Sequence, residues 1–352
     1  MSRFKHISAR AAGFRMPAEW EPHECCWMAW PASPAVWGEM LPRTQHAYAQ
    51  VANAIAGFEP VRMLTPPAHV AQSRALCDSG VEIIDWDLDD AWMRDIGPNF
   101  VRNEQGEVAA SIFHFNAWGR KYRRYRKDAA LGHRMAEALG MRSFSAPLFM
   151  EGGGINTDGE GTLLTTEQCV LNENRNPDIS REEAEHELCE ALGMERVIWL
   201  RGDPADQETD GHVDGIACFT RPGVVLAEPD PSAAPGTEHH DILQENQDIL
   251  RNSVDARGRR LDVHLIQAGT QMEVVGDRFC RSYVNFYIAN GGIVLPAYGV
   301  PDEDCQALEA VQGCFPEHTV VQVDVNAIAY GGGSIHCITQ QQPLAARSER
   351  HA

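Results

Sequence analysis

Hydrophobic positions in this chain fall in short runs separated by polar, glycine-rich breaks. "VRMLT" (61–65), "VEIID" (81–85), "VAASIFHF" (108–115), "SFSAPLF" (143–149), "RVIWL" (196–200), "VHLIQ" (263–267) and "TVVQVDV" (319–325) have the length and composition of strands. Between them lie stretches with helical character near 67–77, 127–139, 180–193, 238–254 and 302–313. "SREEAEHELCEALG" (180–193) is the best marked: Ser180 can cap it with Glu183 in the reciprocal position, and Gly193 stops it. Strands alternating with helices predict an α/β fold.

No Pro/Ser-rich linker divides the chain. "EGGGI" (151–155), "NGGIVL" (290–295) and "GGGSI" (331–335) each set glycines ahead of an apolar run, a short internal echo. About five strand–helix–strand units over 352 residues predict a single repeat-built domain spanning 1–352. A doubly wound sheet is the alternative architecture.

Charge narrows the partners. The net charge of −20 repels phosphate backbones and anionic lipid and attracts cations, amines and guanidinium compounds included. Neither nucleic acid nor membrane is therefore expected as a partner. No apolar run approaches the ~20 residues of a membrane span, and "MSRFKHISARAAGFRMP" (1–17) is basic without a secretory apolar stretch. Ten cysteines with no CxxC pair point to a reduced, cytoplasmic thiol protein. "GRKYRRYRKD" (119–128) carries six basic residues, but against −20 it reads as a solvated surface loop pairing with acidic neighbours.

Four stretches concentrate chemistry. "DDAWMRDIGP" (89–98) gives Trp92, Arg94 and Asp95 before a Gly-Pro turn, and "FMEGGG" (149–154) ends an apolar run on Glu151. "ETDGHVDG" (208–215) packs Glu208, Asp210, His212 and Asp214 together; in an extended segment His212 and Asp214 face the same way. "GGGSIHCITQ" (331–340) leads three glycines into a strand-like run carrying Cys337. On a strand, neighbours point to opposite faces, which assigns His336 to packing. Together these residues offer a nucleophile, an acid/base and several anions. Metal ligation by "HVD" or by His239, His240 and Asp241 lacks the spacing of known sites. "TDGEG" (157–161) lacks the full dinucleotide fingerprint and reads as a hairpin turn.

The chain resembles the agmatine deiminases, members of the guanidino-group-modifying (pentein) superfamily. The resemblance runs from "MPAEWEPHECCWMAWP" (16–31) to "GGGSIHCITQQQP" (331–343), through "FEPVRML", "DDAWMRDIGP", "FNAWG", "EGGG", "DGEGTLLTTEQCVLNENRNP", "GHVDG" and "SYVNFYIANGGIVLP". It implies a five-bladed α/β propeller with pseudo-fivefold symmetry. It also implies a hydrolase converting agmatine to N-carbamoylputrescine and ammonia, a step toward putrescine, with no metal or organic cofactor. Cys337 would be the nucleophile, His212 the acid/base and Glu151 the carboxylate that orients the histidine. Asp95 and Asp214 would bind the guanidinium and Glu208 the distal ammonium, with Trp92 in the substrate-binding set. A homodimer is left open. This chain has Ser334, Asp210 and Gly215 where many relatives read asparagine, and its basic run replaces a glycine-rich continuation. A deiminase or amidinotransferase for another guanidine and a non-catalytic binder on the same fold are the competing readings.

Overall fold

The alternation of strands and helices resolves into five small sheets of three or four strands. The computed structural model describes residues 7–229, 233–270, 278 and 280–346, so the first six residues of the basic N-terminal stretch lie outside it. Four sheets begin with an antiparallel pair joined directly: Asn99–Asn103 with Val108–His114, Asn156–Thr157 with Thr162–Thr166, Ala217–Arg221 with Val224–Ala227, and Tyr287–Ala289 with Gly292–Ala297. A helix then returns the chain so that a third strand adds in parallel. These helices include Leu131–Ala138, Arg181–Leu192, Glu238–Asn252 and Pro301–Cys314, and the added strands are Ser143–Phe149, Arg196–Leu200, Asp262–Leu265 and Thr319–Asp324.

The remaining sheet closes the ring. Its antiparallel pair joins the two ends of the chain, His23–Ala29 and Thr339–Pro343, with Thr339 opposite Met28. Helix Leu41–Ala56 crosses to the parallel strand Val61–Thr65, and Val81–Asp85 adds a fourth strand. This is the five-bladed α/β propeller that the resemblance implies. The doubly wound alternative does not form, because outside the closing sheet each sheet contains a single crossover before the chain turns to start the next pair.

Most expected elements are present within a few residues of their predicted limits. Helix Leu41–Ala56 is not announced by the pattern: it has no side-chain N-cap, carries Pro42 in its first turn, and buries Thr44, Gln45, Ala47, Tyr48, Ala49, Val51, Ala52 and Ile55. Its buried face is broad and partly polar, so periodicity is blurred. The capping box of Arg181–Leu192 forms as expected, with Gly193 in the left-handed conformation at its end. Among the described residues, no helix is long and apolar enough to cross a membrane.

A buried clasp ties the closing sheet to its neighbour. Glu59 accepts hydrogen bonds from the Tyr287 hydroxyl at 2.7 Å and the Asn290 amide at 2.8 Å, and its carboxylate lies 3.0 Å from His23 Nδ1. Asn290 also bonds the His23 backbone in both directions, at 2.9 and 3.0 Å. Glu59→Ala would leave these donors buried without their acceptor, and breaking such a cluster typically costs about 3 kcal/mol or more. Urea unfolding of Glu59→Ala is expected to show that loss; one below about 1 kcal/mol would contradict the clasp.

Candidate active site

The five sheets present five equivalent places: the turn just before the first strand of each antiparallel pair. Asp95 lies in the turn Met93–Ile96 ahead of Asn99, and Glu151 precedes the turn Gly152–Gly154 ahead of Asn156. His212 and Asp214 bracket the start of the turn Val213–Gly215 ahead of Ala217. Asn285 comes two residues before Tyr287, and Cys337 lies in the turn His336–Ile338 ahead of Thr339. Residues spread over more than 240 positions of sequence thereby converge.

Cys337 is 9% exposed. Its Sγ lies 3.3 Å from Asn285 Oδ1 and 3.7 Å from Asp214 Oδ2, while its amide donates to Asn285 Oδ1 at 3.3 Å. The strand expected through Cys337 begins only at Thr339; the cysteine sits in a one-turn 3-10 helix. That difference corrects the assignment of His336 to packing, because strand alternation does not operate in a helical turn. His336 is wedged between two acids, Nδ1 2.8 Å from Asp214 Oδ2 and Nε2 3.1 Å from Glu19 Oε2. His212 and Asp214 share a side as anticipated, though in a turn and not in an extended segment.

His212, Asp95 and Asp214 meet over Gly153. A Cβ at that position would lie 2.6 Å from His212 Nδ1 and 3.0 Å from both Asp214 Oδ2 and Asp95 Oδ1. Here glycine is needed because three functional groups occupy the space a side chain would take. The Gly153 amide donates to Asp95 Oδ1 at 3.0 Å, and Trp118 Nε1 donates to Asp95 Oδ2 at 2.9 Å. Trp118 stands in an unusual left-handed turn, with φ of 59°, 51°, 84° and 65° at Ala117 to Arg120. Left-handed backbone costs roughly 1–2 kcal/mol per non-glycine residue, so the surroundings must impose it. Asn116 does part of this, accepting from Gly119 N at 2.8 Å and donating to the Asn174 carbonyl at 3.0 Å.

Glu151 bridges two cations. His212 Nε2 lies 3.2 Å from its Oε2, and Arg175 Nε donates to its Oε1 at 2.8 Å. Arg175 also meets Asp210 Oδ2 at 2.6 Å, which draws Asp210 away from the cavity. Burial would raise Glu151, but the Arg175 charge and the His212 contact outweigh it and lower its pKa. Burial likewise works against a charged His212, yet Asp95 and contacts with Cys169 and Glu151 raise it well above the usual histidine range. Burial pushes Asp95 up to about 6, with Asp214 and Glu151 adding to the rise against the lowering effect of His212. His336 overrides burial at Asp214 and lowers it. At neutral pH the site therefore holds Asp95, Glu151 and Asp214 as anions around a protonated His212.

The glycines before Cys337 accommodate tryptophans. A Cβ on Gly331 would come within 2.4 Å of Trp37, and one on Gly333 within 2.4 Å of Trp92 and 3.0 Å of the Cys337 Cβ. Trp92 is thus the wall against which the cysteine turn packs, outside the set that lines the neighbouring cavity. That cavity, about 170 Å³, is bounded by Cys337, His212, Asp214, Glu208 and Asn285 among others. Arg278 and Arg281 line it too. Arg278 is turned onto the Tyr122 hydroxyl at 2.8 Å and the Val36 carbonyl at 3.3 Å.

Asn285, Arg175, Trp118 and Tyr122 were not singled out by residue type. Asn285 and Arg175 sit in the long motifs "SYVNFYIANGGIVLP" and "LNENRNP" and Trp118 in "FNAWG", so the signal lay in the motif and not in the chemistry of one side chain. Among the described residues, Glu151, Cys169 and His212 bring ligand-type atoms within 4.8 Å of one another. Arg175 and the proton on His212 already balance Glu151 there, so the trio does not suit a metal cation.

Burial, then Asp214, Cys280 and Asp95, raise the Cys337 thiol well above the usual range. The unliganded protein should therefore hold Cys337 as a neutral thiol at pH 7. Alkylation of Cys337 by iodoacetamide, followed by peptide mass spectrometry, is expected to be slow at pH 7 and still climbing above pH 9. A plateau near pH 7 would contradict that ionisation state.

Residues 15–343 match the family described as Porphyromonas-type peptidyl-arginine deiminase. The agmatine deiminase of Pseudomonas aeruginosa (strain LESB58) is 42% identical, covering 96% of this chain and 98% of that protein. The agmatine deiminase of Ectopseudomonas mendocina (strain ymp) is also 42% identical, with 95% and 96% covered. A solved structure of the agmatine deiminase of Enterococcus faecalis superposes with a TM-score of 0.91 at 35% identity, covering 98% of this chain and all of that one. The chain belongs to the Porphyromonas-type peptidyl-arginine deiminase family.

Proposed function

We propose that this chain is an agmatine deiminase that hydrolyses agmatine to N-carbamoylputrescine and ammonia through a covalent amidino-cysteine. The observation that carries the reading is Glu208 facing the same cavity as Cys337, His212 and Asp214, which offers anions to both ends of a dication. The naming of the Pseudomonas relatives and of the Enterococcus structure supports the same substrate. All ten cysteines are free, which supports a reducing, cytoplasmic setting.

The chemistry follows from the charges. Asp95 and Asp214 grip the planar guanidinium, each able to accept two N–H bonds. The bound cation offsets their charge, so the Cys337 thiol loses its proton to solvent and attacks the guanidinium carbon. A sulfur–carbon bond forms, the tetrahedral carbon then breaks a carbon–nitrogen bond, and protonated His212 gives its proton to the departing ammonia. Neutral His212, held by Glu151, next takes a proton from water as that water attacks the amidino carbon. Collapse breaks the sulfur–carbon bond, leaving the ureido product and the free cysteine. In this account no metal takes part in the sequence of bond changes.

A second reading has an observation of its own. Arg278 and Arg281 in the cavity wall are the groups a guanidine with a carboxylate tail would use. Measuring ureido product from agmatine, arginine and a peptidyl-arginine separates the two. The wild type is expected to prefer agmatine, and Cys337→Ser to fold normally but not turn over. Glu208→Gln is expected to raise KM for agmatine ~30- to 150-fold, for ~2–3 kcal/mol of lost charge pairing, while largely sparing kcat. A wild type that prefers arginine, or an unaltered Glu208→Gln, would overturn the agmatine assignment.

A further inference from the structure

The basic run 119–128 was expected to be a solvated loop. Its end does behave so: Lys127 pairs with Asp87 at the surface, at 2.8 Å. Its beginning is exposed and acid-paired too, but it also reaches the backbone beside the cavity. Lys121 Nζ donates to the carbonyls of Gln207 at 2.6 Å and Glu208 at 2.8 Å, and lies 2.9 Å from Asp210 Oδ2. Lys121 and Asp210 are both places where this chain departs from the pattern it resembles, and the two departures meet in one ion pair.

Tyr122 goes further into the site. Its hydroxyl donates to Glu208 Oε1 and accepts from Arg278 Nη1 at 2.8 Å. Burial and the Glu208 carboxylate push the phenol up to about 12, so it remains a donor at neutral pH. With Oε1 held, Oε2 of Glu208 remains for a ligand in the cavity. Four residues upstream, Trp118 holds Asp95 through its indole N–H. The two rings pack edge to face, centroids 5.6 Å apart. One short segment therefore grips the acid at the guanidinium end and the acid at the far end, and the left-handed turn fixes their separation.

We propose that Tyr122 is a specificity-determining residue, which holds Glu208 at a set span from Asp95 and so selects guanidines whose tail ends in an ammonium at that span. The inference rests on the agmatine reading above. A phenol that merely filled space would affect all guanidines alike, whereas this one acts on the tail.

The test compares agmatine, its homologue shorter by one methylene, and n-butylguanidine, which has no tail amine, for the wild type and Tyr122→Phe. Loss of a hydrogen bond to a charged group is expected to raise KM for agmatine roughly tenfold. The change in kcat for agmatine, and in kcat/KM for butylguanidine, should stay within about twofold. Preference for agmatine over the shorter homologue should fall. In the double variant with Glu208→Gln, the Tyr122→Phe loss should largely disappear, since both act on one carboxylate. Equal losses on agmatine and butylguanidine, or an unchanged preference, would overturn the proposal while leaving the agmatine reading intact. A wild type that does not prefer agmatine over butylguanidine would overturn both.

Discussion

Glu19, Asp95, Glu151 and Asp214 are buried in one linked cluster, where unopposed carboxylates would repel each other and lose their hydration. The surrounding architecture answers that constraint. Arg175 and His212 neutralise Glu151, while His336 lies between Glu19 and Asp214. Arg94, itself buried, lowers both Glu19 and Asp214 through its charge. Four cations thus face the four carboxylates, and Cys337 stays a neutral thiol. A guanidinium bound beside it would add the further positive charge that favours the thiolate.

The repeated fold makes this crowding achievable. Each sheet delivers one turn to the same region, so groups far apart in sequence arrive on rigid supports and not on long loops. Helical turns of three or four residues carry Asp95, Asp214 and Cys337, and such turns let adjacent side chains reach related directions. His336 and Cys337 exploit this: one steadies Asp214 while the other faces Asn285 and the cavity. Closure between His23–Ala29 and Thr339–Pro343 bears directly on the nucleophile, because the cysteine turn runs straight into the closing strand.

Much of this was legible in the chain. The glycine echoes at 151–155 and 331–335 mark two of the five turns, and the strand–helix alternation counts the sheets. Asp95, Glu151, His212, Asp214 and Cys337 stood out because acids, histidine and cysteine cluster around glycine-rich breaks. Other parts were hidden for physical reasons. His336 was misassigned because the strand was carried back through the helical turn His336–Ile338, which inverts the direction of a neighbouring side chain. Asn285 acts through its side-chain amide and Trp118 through one indole N–H, and residue type alone does not advertise such roles. The reach of Lys121 and Tyr122 depends on the left-handed turn before them, and nothing in "NAWGRKY" apart from Gly119 signals positive φ.

The central claim is that Cys337 bonds covalently to the guanidino carbon of agmatine during turnover. Acid quenching of the wild-type protein in the steady state with agmatine, followed by intact-mass and peptide mass spectrometry, tests it most directly. A species heavier by the substrate less one ammonia is expected, located on the peptide containing Cys337 and absent from Cys337→Ser. Agmatine turnover with no such adduct in rapid-quench samples, or an adduct on another cysteine, would contradict it.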